Sequence, residues 1–162
     1  MAKEIERKFL VANDDWRAVV KKSISIRQAY IASMDDRSVR IRIRDGDSAR
    51  LTIKIGTNML VRDEFEYAIP VADAEEMMTL AIGRVIEKTR HHVEFGGFLW
   101  EVDVFSGAHL GIVIAEVELQ DQSDSPALPA WLGREVTGER RYSNQWLAIE
   151  DLPTGALDGL SN

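Results

Sequence analysis

A mainly β fold is predicted for this 162-residue chain, built as an antiparallel meander of eight strands with a few short helices. Three observations predict it. Apolar residues recur with period two rather than 3.6, the recurrence comes in stretches of roughly seven to twelve residues, and Asp, Gly, Pro and Ser clusters separate the stretches. Joints such as Asp45-Gly46-Asp47 and Gly96-Gly97 are short and turn-forming, so neighbouring strands pair antiparallel.

The first strand, Lys3 to Val11, sets Glu4, Glu6 and Lys8 against Ile5 and Phe9. A short helix is expected over Asp14 to Lys21. The second strand, Ile24 to Met34, carries Gln28 and Tyr30, and the third, Ser38 to Asp45, alternates Arg40, Arg42 and Arg44 with Val39, Ile41 and Ile43. The fourth, Ala49 to Ile55, holds Lys54 between Ile53 and Ile55. The fifth, Val61 to Pro70, alternates Arg62, Glu64 and Glu66 with Phe65, Tyr67 and Ile69. Asp73 followed by Glu76 reads as a capping pair that opens a helix of about Ala74 to Ile82, with Gly83 suited to its C-terminal stop. The sixth strand, Arg84 to Phe95, places Lys88, Arg90 and His92 on one face. The seventh, Phe98 to Phe105, sets Glu101 and Asp103 against Trp100, Val102 and Val104, and the eighth, Gly111 to Gln120, sets Glu116 and Glu118 against Val117 and Leu119. Further short helices are expected at Ala127 to Leu132 and Ser143 to Ala148. One domain over residues 1–152 follows, with a small, polar stretch from Pro153 to Asn162 expected to fray.

Composition removes several function classes. Twenty basic against 27 acidic residues give a net charge of −7, which disfavours general nucleic-acid binding while leaving a local basic cavity open. The chain has no cysteine, hence no disulfide frame or thiolate metal site, and a reducing cytoplasm is the easier reading. Met1 to Leu10 lacks the apolar stretch of a signal peptide, and no run approaches the ~18 apolar residues of a membrane span. There is no GxxxxGK[ST] loop and no HExxH. His91 and His92 are adjacent on a strand and face opposite ways, so they do not chelate one ion. His109, in a Gly-flanked loop, is expected to be solvated.

Side chains at i and i+2 share a face, so every charge can be assigned a side. One face collects eight carboxylates (Glu4, Glu6, Glu64, Glu66, Glu101, Asp103, Glu116, Glu118) and eight strong cations (Lys8, Arg40, Arg42, Arg44, Lys54, Arg62, Lys88, Arg90). The ordinary reading is a sheet with its charged face in water. The signs, however, are sorted by strand: the third strand presents only cations there, and the seventh and eighth only anions. Like charges side by side lose about 0.2 to 1 kcal/mol per pair, so solvated faces usually intersperse them. A neutral total made of segregated signs suits a site for divalent cations and a polyanion together. Eight antiparallel strands can close around one small ligand. With the charges inside, the apolar face points outward beyond what a few helices cover, and a second subunit is expected around Ile41, Ile53 and Val102.

Glu4-Ile5-Glu6-Arg7-Lys8 is an ExExK signature, and it is followed in order by Arg40-x-Arg42, Thr52-x-Lys54, Arg62-x-Glu64-x-Glu66, Glu87-Lys88-Thr89-Arg90, Trp100-Glu101-Val102-Asp103 and Glu116-x-Glu118. Gln28-x-Tyr30 and Arg141-Tyr142-Ser143-Asn144 extend the pattern. The set resembles the triphosphate tunnel metalloenzymes, also called the CYTH domain, in their short bacterial branch, across about residues 2 to 150. The resemblance implies a closed eight-stranded antiparallel barrel with a charged interior, a need for Mg²⁺ or Mn²⁺, and hydrolysis of inorganic triphosphate to diphosphate and phosphate. Adenylyl cyclase and thiamine triphosphatase share the same triphosphate apparatus and stay open as alternatives, as does a polyphosphate-binding module without turnover.

Roles follow from chemistry joined to that resemblance. Hard cations take oxygen ligands, which points to Glu4, Glu6, Asp103, Glu116 and Glu118. Glu64, Glu66 and Glu101 are set either to ligate or to orient a neighbouring Arg or Lys. Phosphate contacts fall to Lys8, Arg40, Arg42, Lys54, Arg62, Lys88 and Arg90. The resemblance implies Tyr30 as a proton acceptor with Lys54 and Lys88 assisting. The expected protein is cytoplasmic and homodimeric, acts on a small triphosphate, and engages neither nucleic acid nor membrane.

Overall fold

The computed structural model describes residues 2–57 and 61–150, so the tail expected to fray lies outside the described residues. Nine strands form one antiparallel sheet: β1 (Ala2–Val11), β2 (Lys22–Met34), β3 (Arg37–Arg44), β4 (Ser48–Ile55), β5 (Val61–Ile69), β6 (Ile82–Phe95), β7 (Phe98–Ser106), β8 (Val113–Glu118) and β9 (Leu132–Glu135). Their order is β5-β4-β3-β2-β6-β7-β8-β1-β9, and β5 also pairs with β1. Eight strands therefore close into a barrel. β9 is an outer addition on β1, with Phe9 opposite Glu135 and Val11 opposite Leu132. The helix expected at Ala127 to Leu132 does not form: residues 127–131 are irregular, a turn in which the Leu132 amide donates to the Pro129 carbonyl leads into β9, and only Leu132 is shared.

Local chemistry explains the turns and helices. Gly96 and Gly97 have φ of 61° and 81°, and Phe95 pairs with Phe98, so the β6–β7 hairpin has a two-residue turn whose positive φ values glycine tolerates best. The first α-helix, α1 (Val71–Met78), begins at Pro70, whose extended backbone (ψ 139°) supplies the cap position without a side-chain hydrogen bond. The predicted Asp73 cap is thus replaced by a start three residues earlier, and Gly83 lies in β6 rather than at the helix end. Asp15–Val19 forms a 3₁₀ turn within the stretch predicted helical. The second α-helix, α2 (Asn144–Ile149), matches its expectation to one residue, with the Ser143 hydroxyl accepting from the Trp146 amide.

Alternation sends the charges inward and the aliphatics outward, and the chain covers much of that outer surface itself. α1 packs Ala74 and Met78 on Ala29, Ile41, Ile43 and Ala49. Trp16 and Trp131 cover Phe9, Trp100, Val102 and Val117 on the far side of the barrel. Ile41 and Val102, expected to face a second subunit, are fully buried, leaving Ile53 half-buried. The third cluster lies inside. Leu10, Tyr30, Ile86, Phe105 and Ile114 converge from the walls on Tyr142, Leu147 and Ala148, so the α2 segment packs an apolar floor into one end of the barrel. His109 belongs to this packing: it is 0% exposed rather than solvated, and its Nε2 donates to the Leu147 carbonyl at 2.5 Å.

Candidate functional site

Above the apolar floor the barrel encloses a cavity of about 380 Å³. Glu4, Glu6 and Lys8 reach it from β1, Arg40, Arg42 and Arg44 from β3, and Lys54 from β4. Arg62, Glu64 and Glu66 come from β5, Arg90 from β6, Glu101 from β7, and Glu116 and Glu118 from β8. Seven carboxylates and seven cations thus share one space. A second cavity of about 420 Å³ lies against α2 and shares Lys54, Arg62, Ser143 and Gln145 with the first.

Of the residues predicted for the site, Lys88 and Asp103 are the two that do not line the cavity; they are buried inside the barrel, with Lys88 over the Phe105 ring of the apolar floor. Asp103 is 1% exposed, with its two oxygens taking Nε and Nη2 of Arg90 at 2.8 Å each and Lys88 Nζ at 2.6 Å. Such a bidentate pair fixes the Arg90 fork, a job that uses up the oxygens a cation would need. Burial is the largest influence on the Lys88 ammonium and pushes it down to about 7, against the pull of Asp103.

The remaining carboxylates come in pairs. Glu6 neighbours Glu116, and Glu4 neighbours Glu64. Burial, then the charge of Glu116, push Glu6 up, while Lys8 and Arg90 hold Glu116 below the usual carboxylate range against its own burial. Likewise burial, then the neighbouring Glu4, push Glu64 up, and Lys54 at 2.8 Å keeps Glu4 low despite its burial. In each pair one carboxyl is pushed up and the other held low. Among the described residues no three acidic or histidine side chains converge on one point, which fits a cation that takes one or two carboxylates and fills its shell with water and phosphate oxygens. Glu118 lines the cavity, its carboxyl raised by partial desolvation there and then by the charge of Glu4.

The cations are held by carboxylates and by neutral polar groups together. Lys8 Nζ lies 3.6 Å from Glu116 and donates to the Tyr142 carbonyl at 3.2 Å. Arg42 donates from Nε to Gln28 Oε1 at 2.9 Å; burial, then Arg40 and Arg90, push it down to about 9, so it remains a cation at neutral pH. Arg40 contacts Thr52 at 3.3 Å, and Arg62 reaches within 3.8 Å of Glu4. Glu66 instead pairs with Arg50, and Glu101 with Arg90 at 3.5 Å and His92 at 3.4 Å. Tyr30 lines the cavity at its floor. Gln28 and Asn144 carry no role in the sequence reading, though both lie in the matched pattern; their signal is a polar side chain on a strand's inner face and one directly after a helix cap.

A family model described as the CYTH domain matches residues 2–145. The chain belongs to the CYTH domain family. Within it, a curated inorganic triphosphatase of Acetivibrio thermocellus is 45% identical over 145 residues, spanning 89% of this chain and 92% of that protein. Another from Nitrosomonas europaea is 36% identical over 150 residues, 90% of this chain and 97% of its own. Among solved structures, the crystal structure of an inorganic triphosphatase superposes with a TM-score of 0.65 at 32% identity, covering 93% of this chain and 97% of the other. The closed barrel with one outer strand is the CYTH tunnel fold. Among the described residues no helix is long and apolar enough to cross a membrane.

Proposed function

We propose that this CYTH protein hydrolyses inorganic triphosphate to diphosphate and phosphate with the help of a divalent cation. The observation that carries the reading is the cavity itself, where seven cations and seven carboxylates line about 380 Å³. Buried charge at this density costs several kcal/mol per ion unless something compensates it. A linear polyanion with bound cations compensates both signs together. The names of the relatives, inorganic triphosphatase in each case, support the same substrate.

Phosphoryl transfer asks the protein for position and charge rather than covalent chemistry. Lys8, Arg40, Arg42, Arg62 and Arg90 hold the phosphate oxygens. Glu4, Glu6, Glu116 and Glu118 hold Mg²⁺ or Mn²⁺, which when bound neutralises phosphate charge and lowers the pKa of water. Asp103 and Lys88 serve from beneath the cavity lining, where Asp103 aims the Arg90 guanidinium. Tyr30 stands at the cavity as the proton acceptor for the attacking water, with the Lys54 ammonium assisting as a charge. The protein works in the cytoplasm as a homodimer, the half-buried strip at Ile53 and Phe65 being the part of the outer wall left for a partner.

The test is phosphate release from triphosphate, ATP and thiamine triphosphate in Mg²⁺ or Mn²⁺, with cyclic AMP measured in parallel. Triphosphate is expected to be the best substrate, with turnover abolished by chelation. Formation of cyclic AMP as the main product, or binding of all three without turnover, overturns the proposal.

A further inference from the structure

Asn144, the first residue of α2, lines the charged cavity, and donor-only partners fix its carboxamide. Lys88 Nζ, paired with Asp103 at 2.6 Å, donates to Asn144 Oδ1 at 2.9 Å. The same oxygen accepts from Gln28 Nε2 at 3.0 Å. Gln28 is itself oriented, because its Oε1 faces Arg42 Nε at 2.9 Å and an arginine can only donate. Two cations thus set both amides in one sense, Arg42 to Gln28 to Asn144 from one side and Lys88 to Asn144 from the other. Asn144 Nδ2 is left with both hydrogens and no acceptor among the described residues.

We propose that Asn144 is a substrate-binding residue, donating from Nδ2 to a phosphate oxygen of the triphosphate. The inference rests on the triphosphatase reading above. It adds a neutral, directional donor from the C-terminal helix to a site whose other contacts are cations from the barrel wall. Its position is prepared in advance. Ser143 caps α2, His109 Nε2 donates to the Leu147 carbonyl, and Gly83 (φ 69°) sits so close that a Cβ there would overlap the Ala148 carbonyl. A donor held this way loses little freedom when the ligand arrives.

Two substitutions separate donation from support of Lys88. Asn144→Asp keeps an acceptor for Lys88 and Gln28 but replaces the donor by a second acceptor, whereas Asn144→Ala removes both. Loss of one hydrogen bond to a charged group predicts a KM for triphosphate raised about tenfold or more in both variants, with Asp no better than Ala. A KM for Asn144→Asp equal to wild type overturns the proposal and leaves Asn144 as a support for Lys88. The unaltered protein supplies a second readout that needs no variant to fold. With ¹⁵N-asparagine, four side-chain amides report, at Asn13, Asn58, Asn144 and Asn162. Triphosphate without metal should shift the Asn144 pair, which is assigned by its disappearance in either variant. Triphosphate binding seen by calorimetry with an unmoved Asn144 amide sinks this contact alone. No triphosphate binding at all sinks the functional reading together with it.

Discussion

Glu6 shows at the scale of one residue how a densely charged site stays folded. Its carboxyl lies beside Glu116 and Glu4, and burial, then the charge of Glu116, push it up, because two adjacent anions are costly. Glutamine reproduces the neutral form but cannot offer an anionic ligand. Glu6→Gln should therefore melt at or above the wild-type temperature while kcat falls at least ~10²-fold, the scale of losing one major electrostatic contact. Parallel melting and steady-state kinetics check this, and unchanged kcat would remove Glu6 from the site. Alternation alone made the inward position of Glu6 legible, along with thirteen other cavity charges. It gives a face and not a depth, which is why Lys88 and Asp103 were indistinguishable from cavity residues although Asp103 and Arg90 form a closed pair. His109 was misread for a related reason: flanking glycines predict a loop, and only the tertiary packing of α2 onto that loop buries it.

At the scale of elements, the eight barrel strands were readable because each alternates and each ends in a turn. β9 was not. Its four residues, Leu132-Gly-Arg-Glu, are too few and too polar to show a period, and they become a strand because the flank of β1 that pairs with β5 over Ala2 to Ile5 is left with free hydrogen bonds further along. One ion pair fastens it, with Arg7 Nε and Nη2 donating to the two Glu135 oxygens at 2.9 and 2.8 Å. Hydrogen bonding to Arg7 holds the Glu135 carboxyl below its ordinary value of 4.5. A folded pKa below the unfolded one means the pair stabilises fully above the unfolded value and fades as pH falls through the folded one. Both partners are partly solvated, so Arg7→Ala should cost only about 0.2 to 1 kcal/mol at pH 7. Urea denaturation should show the gap between variant and wild type closing as the pH drops below 4.5. A gap that persists at pH 3 would mean that Arg7 acts through its 5.2 Å stacking on Phe9 instead.

For the whole molecule, the lined charges of the cavity cancel, so the net charge of −7 belongs to the rest of the chain. A ligand that satisfies the interior stabilises the entire barrel, because every wall strand except β2 sends at least one lining charge into it. Triphosphate with Mg²⁺ at one hundred times its Kd should add about 2.7 kcal/mol, read as a raised melting temperature. Sulfate at equal ionic strength should add far less, and equal shifts would reduce the effect to salt. The barrel closes where β1 meets β5 through four residue pairs, from Ala2 opposite Glu64 to Ile5 opposite Val61, while the other flank of β1 waits for β8. Glu6 pairs with Glu118 and Lys8 with Glu116, so β1 finds this neighbour more than one hundred residues later in the chain. Closing so long a loop before its contacts repay the entropy is slow, on the order of milliseconds to seconds for such topologies. A nascent chain that has not yet released β8 carries its ExExK ribbon unmatched on that flank, and the ring of carboxylates comes into being in the same late event that seals the barrel.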